Sequence, residues 1–96
     1  MRVRWTRRAL RALDGIAAYI AQDSPAAARR VVSRLEDSVG QLALHPSRGR
    51  VGRVAGTREL VVSETPFIVP YRVRGDSVEV LAVLHAARRW PEEFTR

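Results

Sequence analysis

Cysteine is absent from this 96-residue chain, which excludes disulfide staples and thiolate metal sites and fits a reducing compartment. Histidine is confined to His45 and His85, too far apart in sequence to suggest a ligand pair. No metal or other cofactor is therefore expected. No apolar stretch approaches the roughly 20 residues that a membrane helix requires, so a membrane partner is not expected either. The opening MRVRWTRRAL carries charge without a following apolar core, which argues against a secretory signal. G-x-S-x-G does not occur, and Ser24, Ser33, Ser38, Ser47, Ser63 and Ser77 fall at expected caps, turns or helix faces. The phrase GRVGRVAG neither follows a strand nor opens a helix, so its glycines read as turn formers rather than a phosphate cradle. Repeats, linkers and low-complexity tracts are missing. One domain over residues 1–96 is expected, burying roughly two thirds of its unfolded surface. Little room is left for a deep pocket, and no small-molecule substrate is expected.

Lysine is the most informative absence. All 17 basic residues are arginine, and the formal net charge is +7. Arginine offers a planar fork that binds carboxylate or phosphate in pairs of hydrogen bonds and stacks on aromatic rings. Its placement is uneven. Between Ala12 and Ser47, Arg29, Arg30 and Arg34 face Asp14, Asp23, Glu36 and Asp37, a net of −1, so the rest of the chain carries +8. The excess lies at the amino terminus (Arg2, Arg4, Arg7, Arg8, Arg11), in a central stretch (Arg48, Arg50, Arg53, Arg58) and beside apolar runs (Arg72, Arg74, Arg88, Arg89). A fold that gathers these segments would create a positive flank able to steer acidic partners.

The apolar pattern predicts the elements. Met1 to Trp5 alternates like an edge strand. From Thr6, a plausible N-cap, a helical period sets Leu10, Leu13, Ile16 or Ala17, and Ile20 on one stripe. Asp23-Ser24-Pro25 marks a new start, with Ser24 as cap and Pro25 in the first helical position. Ala28, Val31 or Val32, Leu35, Val39 and Leu42 then face one way until His45-Pro46 stops the helix. Three β-branched and aromatic runs follow, Arg58 to Val62, Phe67 to Arg74 and Ser77 to His85, separated by Ser63-Glu64-Thr65-Pro66 and Gly75-Asp76. The expected architecture is α+β in two layers: an amino-terminal strand and a two-helix hairpin packed on one face of a small antiparallel sheet. In the last run Val78, Val80, Ala82 and Leu84 should point one way and Glu79, Leu81, Val83 and His85 the other. Pro70 conflicts with an interior strand, because it lacks a ladder donor, and predicts a bulge or a missing bond there.

Candidate chemistry is thin. His85 beside Arg88 and Arg89 could act as a base, with guanidinium groups stabilising a phosphorane-like transition state, although packing at a strand end is the commoner fate of a lone histidine. His45, at a helix end, suits interaction with unsatisfied carbonyls. Arg50, Arg53 and Arg58 alternate with small residues as a cationic strip would. Aromatics suited to stacking bases are sparse, since Trp5, Tyr19 and Phe67 are expected in the core, which argues against a stacking platform for single-stranded RNA. Trp90-Pro91 is expected to pin the tail to the body by burying the indole.

The phrase DGIAAYIAQDSPAAARRVVSRLEDSVGQLALHPSRGR, followed by GTRELVV, TPFIVPYRV and LAVLHAARRWP, resembles the RelE/ParE superfamily of bacterial toxins, most of all its ParE branch, over nearly the whole chain. The resemblance implies a helical hairpin on an antiparallel sheet, a bacterial cytoplasmic host and a co-expressed antitoxin with an acidic toxin-binding arm. It also implies a target. ParE-like members inhibit DNA gyrase by stabilising its cleaved complex with DNA, and have no accepted catalytic set. RelE-like members cut mRNA in the ribosome with basic residues and usually a Tyr or His near the carboxy terminus. Here WPEEFTR supplies neither, and only His85, Arg58, Arg72 and Arg88 could take those parts. The first expectation is thus a non-enzymatic gyrase inhibitor with no catalytic residues, which meets antitoxin and target through Arg50, Arg53, Arg58, Arg72, Arg74, Arg88, Arg89 and Trp90. The alternative is the ribosome-dependent endoribonuclease. A toxin-derived module without toxicity is a third reading, prompted only by Pro70.

Overall fold

The computed structural model describes residues 1–92 and Phe94. Its elements are β1 (Arg2–Trp5), α1 (Arg7–Ala21), α2 (Pro25–Gly40), a 3₁₀ turn (Gln41–Ala43), β2 (Arg50–Val51), β3 (Arg58–Val61), β4 (Phe67–Arg74), β5 (Ser77–Val80) and β6 (Leu84–His85). Both helix starts follow the sequence signals. Thr6 Oγ1 accepts from the Ala9 N–H at 3.2 Å, and Ser24 Oγ accepts from the Ala27 N–H at 3.1 Å ahead of Pro25. Thr6 also donates to the Val80 carbonyl at 2.8 Å, so the cap of α1 is tied to the end of β5.

The two helices form a hairpin whose apolar stripe covers one face of the sheet. Ala9, Leu13, Leu35, Val39 and Leu42 meet Leu60, Val62, Val69, Tyr71, Val78, Val80 and Val83. Each fully buried Leu or Val contributes about 1.5–3 kcal/mol. The stripe of α1 is rotated from the expected one: Ala9 is fully buried, whereas Leu10 is 45% exposed. Ala9 fits because the helix start, held by Thr6, lies close against the sheet, where a small side chain is required. The aromatics are also redistributed. Tyr19 is exposed, while Tyr71 is completely buried.

Strand order is β1-β5-β4-β3-β2, with β6 also pairing with β4. β1 runs parallel to β5, Val3 opposite Val78 and Trp5 opposite Val80, whereas the other pairs are antiparallel. The sheet is therefore mixed rather than antiparallel throughout. The helical hairpin supplies the long connection out of β1 that a parallel pairing demands.

Pro70 produces both the bulge and the missing bond. The Leu81 N–H donates to the Pro70 carbonyl at 2.9 Å, but proline has no N–H to return. The Leu81 carbonyl instead accepts from Thr6 Oγ1 at 3.3 Å. On one side of this point Tyr71 faces Val80; on the other, Ile68 faces Leu84. Ala82 and Val83 thus oppose the single residue Val69, which is the geometry of a β-bulge. The slip reverses the alternation expected for the last run. Val83 joins the helix-side core with Val78 and Val80, Leu84 pairs with Ile68 on the opposite face, and His85 pairs with Phe67 on the core side.

Candidate functional site

The face of the sheet turned away from the helices is organised by carboxylates. Cross-strand partners share a face, so Glu59, opposite Pro70, and Glu79, opposite Arg72, both point away from the core that holds Tyr71 and Val78. Glu59 is only 3% exposed. Its Oε1 accepts from Arg50 Nε at 3.1 Å and Nη2 at 3.0 Å, while its Oε2 accepts from the Arg53 backbone N–H at 2.8 Å and from Arg53 Nε at 3.2 Å. Burial pushes the Glu59 carboxyl up, but the Arg53 N–H, the two guanidinium groups and the Arg53 charge outweigh it, holding the group below the ordinary carboxylate value.

Arg53 is delivered by a tight loop after β2. The Gly52 N–H donates to the Thr57 carbonyl at 2.8 Å, and a Cβ on Gly52 would fall 2.9 Å from that carbonyl oxygen. The guanidinium of Arg53 lies over the Trp90 ring, 3.5 Å from its centroid. Trp90 in turn donates through Nε1 to the His85 carbonyl at 3.3 Å. Trp90 is thus held against the body by a cation–π stack and stays half-buried, where burial of the indole was expected.

Glu79 anchors the other half of this face. It is 8% exposed and accepts from Arg72 Nε at 2.7 Å. Arg4 of β1 stands opposite Glu79, and Arg74 shares the face of Arg72 at the end of β4. Arg74, Arg88 and Arg89 are exposed and make no side-chain ion pair among the described residues.

Arg58 goes elsewhere. It stands opposite Tyr71, and its Nη1 donates to the carbonyls of Gly49 at 2.8 Å and Ser47 at 3.4 Å. Tyr71 completes the arrangement, its hydroxyl donating to the Pro46 carbonyl at 2.7 Å and accepting from the Gly49 N–H at 2.8 Å. Arg58 thus helps hold the 46–49 loop against the helix-side face. His85 is also apart from the carboxylate-bearing face. Its ring meets Phe67 edge-on at 5.8 Å, and its Nδ1 accepts from the Ala87 N–H at 3.1 Å. The structure therefore brings Arg50, Arg53, Arg72, Arg74 and Trp90 to one face, adds exposed Arg88 and Arg89 on the segment leading to Trp90, and separates His85 and Arg58 from Arg72. His45 is exposed, and its backbone N–H bonds to the Gln41 carbonyl at 3.0 Å.

Glu59, Glu79 and Tyr71 are the organising residues that sequence reasoning passed over. The available signal was a lone glutamate inside each of two β-branched phrases, RELVV and VEVL, where an acid is tolerated only with partners. Ile68, Pro70, Leu81 and Ala82 are also buried on the far side of the sheet or at the bulge, outside the main core cluster. An open groove runs along α2, lined by Arg29, Arg30, Arg34, Asp37 and Gln41. Among the described residues, no cluster of three or more histidine or acidic side chains could hold a metal ion, and no helix is long and apolar enough to cross a membrane.

Comparison with known proteins accords with this geometry. Residues 3–90 match the family described as ParE toxin of type II toxin-antitoxin system, parDE. Toxin Y4kP of Sinorhizobium fredii is 54% identical over 91 residues, covering 95% of this chain and 94% of its own. Toxin RelE2 of Caulobacter vibrioides is 44% identical over 84 residues, covering 88% and 93%. A solved structure of the chromosomal ParDE TA system from P. aeruginosa superposes with a TM-score of 0.77 at 31% identity, covering 86% of this chain and 92% of that one. With the helical hairpin, the mixed sheet and nearly the full length all matched, this chain belongs to the ParE toxin family of type II toxin–antitoxin systems.

Proposed function

We propose that this toxin inhibits DNA gyrase without catalysing a reaction, and arrests growth in the bacterial cytoplasm when its cognate antitoxin is not bound. One observation carries the choice against an enzyme. The bulge at Ala82 and Val83 sets His85 beside Phe67, on the side of Arg58, while Arg72 lies on the opposite face with Glu79. A general base must come within about 3 Å of the proton it takes, and charge stabilisers must converge on the same reacting group, which residues divided between two faces of a sheet cannot do. Inhibition by binding needs no such convergence. Arg50, Arg53, Arg72, Arg74, Arg88, Arg89 and Trp90 offer a surface of forked donors suited to an acidic antitoxin arm and to a target; Arg58 can contribute only from the sheet's margin.

The assay is gyrase supercoiling with purified toxin. Inhibition with accumulation of cleaved DNA is expected at micromolar concentration, and His85→Ala is expected to inhibit as well as the parent. The Caulobacter relatives bearing RelE names favour a second reading, ribosome-dependent mRNA cleavage with His85 as base. Loss of growth arrest in His85→Ala, with supercoiling untouched by the parent toxin, would establish that reading and remove the first.

A further inference from the structure

The tail of the described chain is attached at two points. Trp90 packs against Arg53, whose guanidinium is itself fixed by Glu59 on the sheet face away from the helices. Phe94 lies under the Arg8 guanidinium, 5.5 Å from ring centroid to Cζ, at the start of α1. That helix start is bound to the end of β5 through Thr6 and Val80, whereas Glu59 belongs to β3, beyond β4 in the sheet.

The order of contacts is asymmetric. Arg50 and Arg53 both serve Glu59, and of the two it is Arg53 whose guanidinium lies over the Trp90 ring among the described residues. A free arginine samples many rotamers, and ordering one costs side-chain entropy. Glu59 meets that cost in advance, because two hydrogen bonds to Arg53, one from its backbone and one from Nε, leave the guanidinium plane free to stack.

We propose that Glu59 and Arg53 are positioning residues for the carboxy-terminal segment: Glu59 sets the Arg53 guanidinium flat against Trp90, and that stack holds the segment in the pose presented to the toxin's target. The proposal rests on the reading of this chain as an inhibitor that works by binding. The segment carries Arg88 and Arg89 with it, so the stack also determines where those two charges stand.

The test uses the full-length toxin with Trp5→Phe, so that Trp90 is the sole indole. Arg53→Ala is expected to raise acrylamide quenching of Trp90 about two- to fivefold, the factor that a surface cation–π contact supplies. Arg50→Ala removes the same charge from Glu59 and is expected to leave quenching unchanged. Arg53→Lys keeps the charge but loses the planar face, and should fall between. Growth arrest on induction supplies the second readout: Arg53→Ala, Trp90→Ala and the double variant are expected to lose the same potency, because residues acting through one contact do not add. Quenching unmoved by Arg53→Ala, or equal changes in the Arg50 and Arg53 variants, overturns the proposal whatever the target. Additive losses in the double variant overturn it too. Should Arg53→Ala fail to fold, Glu59→Gln carries the same quenching test. A toxin whose Trp90 responds as expected but which leaves gyrase untouched would refute the target reading alone.

Discussion

At the scale of single residues, Glu59 and Tyr71 show how a small protein uses polar groups it cannot leave in water. Glu59 is buried, and a buried carboxylate is tolerated only when its oxygens are filled; Arg50 and Arg53 fill both. Because its folded-state value lies below the reference of 4.5, the unfolded chain binds protons more readily than the folded one. Stability from this group is therefore fully present above that value and is lost as pH falls through the lower folded one. In urea unfolding followed from about pH 7 to about pH 3, the stability gap between the parent and Glu59→Gln is expected to close at the acid end. Tyr71 acts through geometry instead. Its ring and hydroxyl occupy the space beside Gly49, where a Cβ would lie 2.6 Å from Tyr71 Cε1 and 2.9 Å from the Glu59 carbonyl, so only glycine fits. Tyr71→Phe would leave the buried Gly49 N–H without an acceptor and is expected to cost about 1–3 kcal/mol in a denaturation experiment.

At the scale of elements, the junction of Thr6, Pro70 and Leu81 links three strands and a helix. Thr6 caps α1, donates to Val80 at the end of β5, and reaches the Leu81 carbonyl that Pro70 cannot serve. Thr6→Ala is expected to cost about 1–2 kcal/mol, at the upper end for an N-cap, measurable as a lowered thermal midpoint. The helix starts were legible in the sequence because capping chemistry is local: Ser24 and Pro25 need only their own next turn. Pro70 was legible as a conflict for the same reason, a missing N–H being a property of the residue itself. Its outcome was less so. The regular alternation expected through His85 fails at Ala82 and Val83, because the extra residue is accommodated by β4 and Thr6, neither of which is near in sequence.

At the scale of the whole molecule, charge and shape act together. The net +7 is not spread as a uniform field, since Arg50, Arg53 and Arg72 are engaged by Glu59 and Glu79 while Arg74, Arg88 and Arg89 face solvent without ion-pair partners among the described residues. Pairing fixes the first group in geometry, and the second supplies attraction at a distance. A type II toxin implies a cognate antitoxin. Capture of an acidic antitoxin arm by such a surface should be steered electrostatically, so its association rate is expected to fall by roughly tenfold between about 50 and about 500 mM salt in stopped-flow measurements. A rate insensitive to salt would place the contact on the apolar surfaces instead.

The amino-acid sequence by itself determined the helical hairpin, the strand phrases and the cationic bias, because periodicity, caps and charge are set by residues a few positions apart. It also determined the toxin family, whose phrases run along nearly the entire chain. Tertiary structure alone decided that β1 enters the sheet parallel to β5, that Arg58 serves a loop rather than the arginine-bearing face, and that His85 stands apart from Arg72. Each of those outcomes depends on the register between strands distant in the chain, and one inserted residue opposite Val69 is enough to exchange the faces on which the final side chains fall.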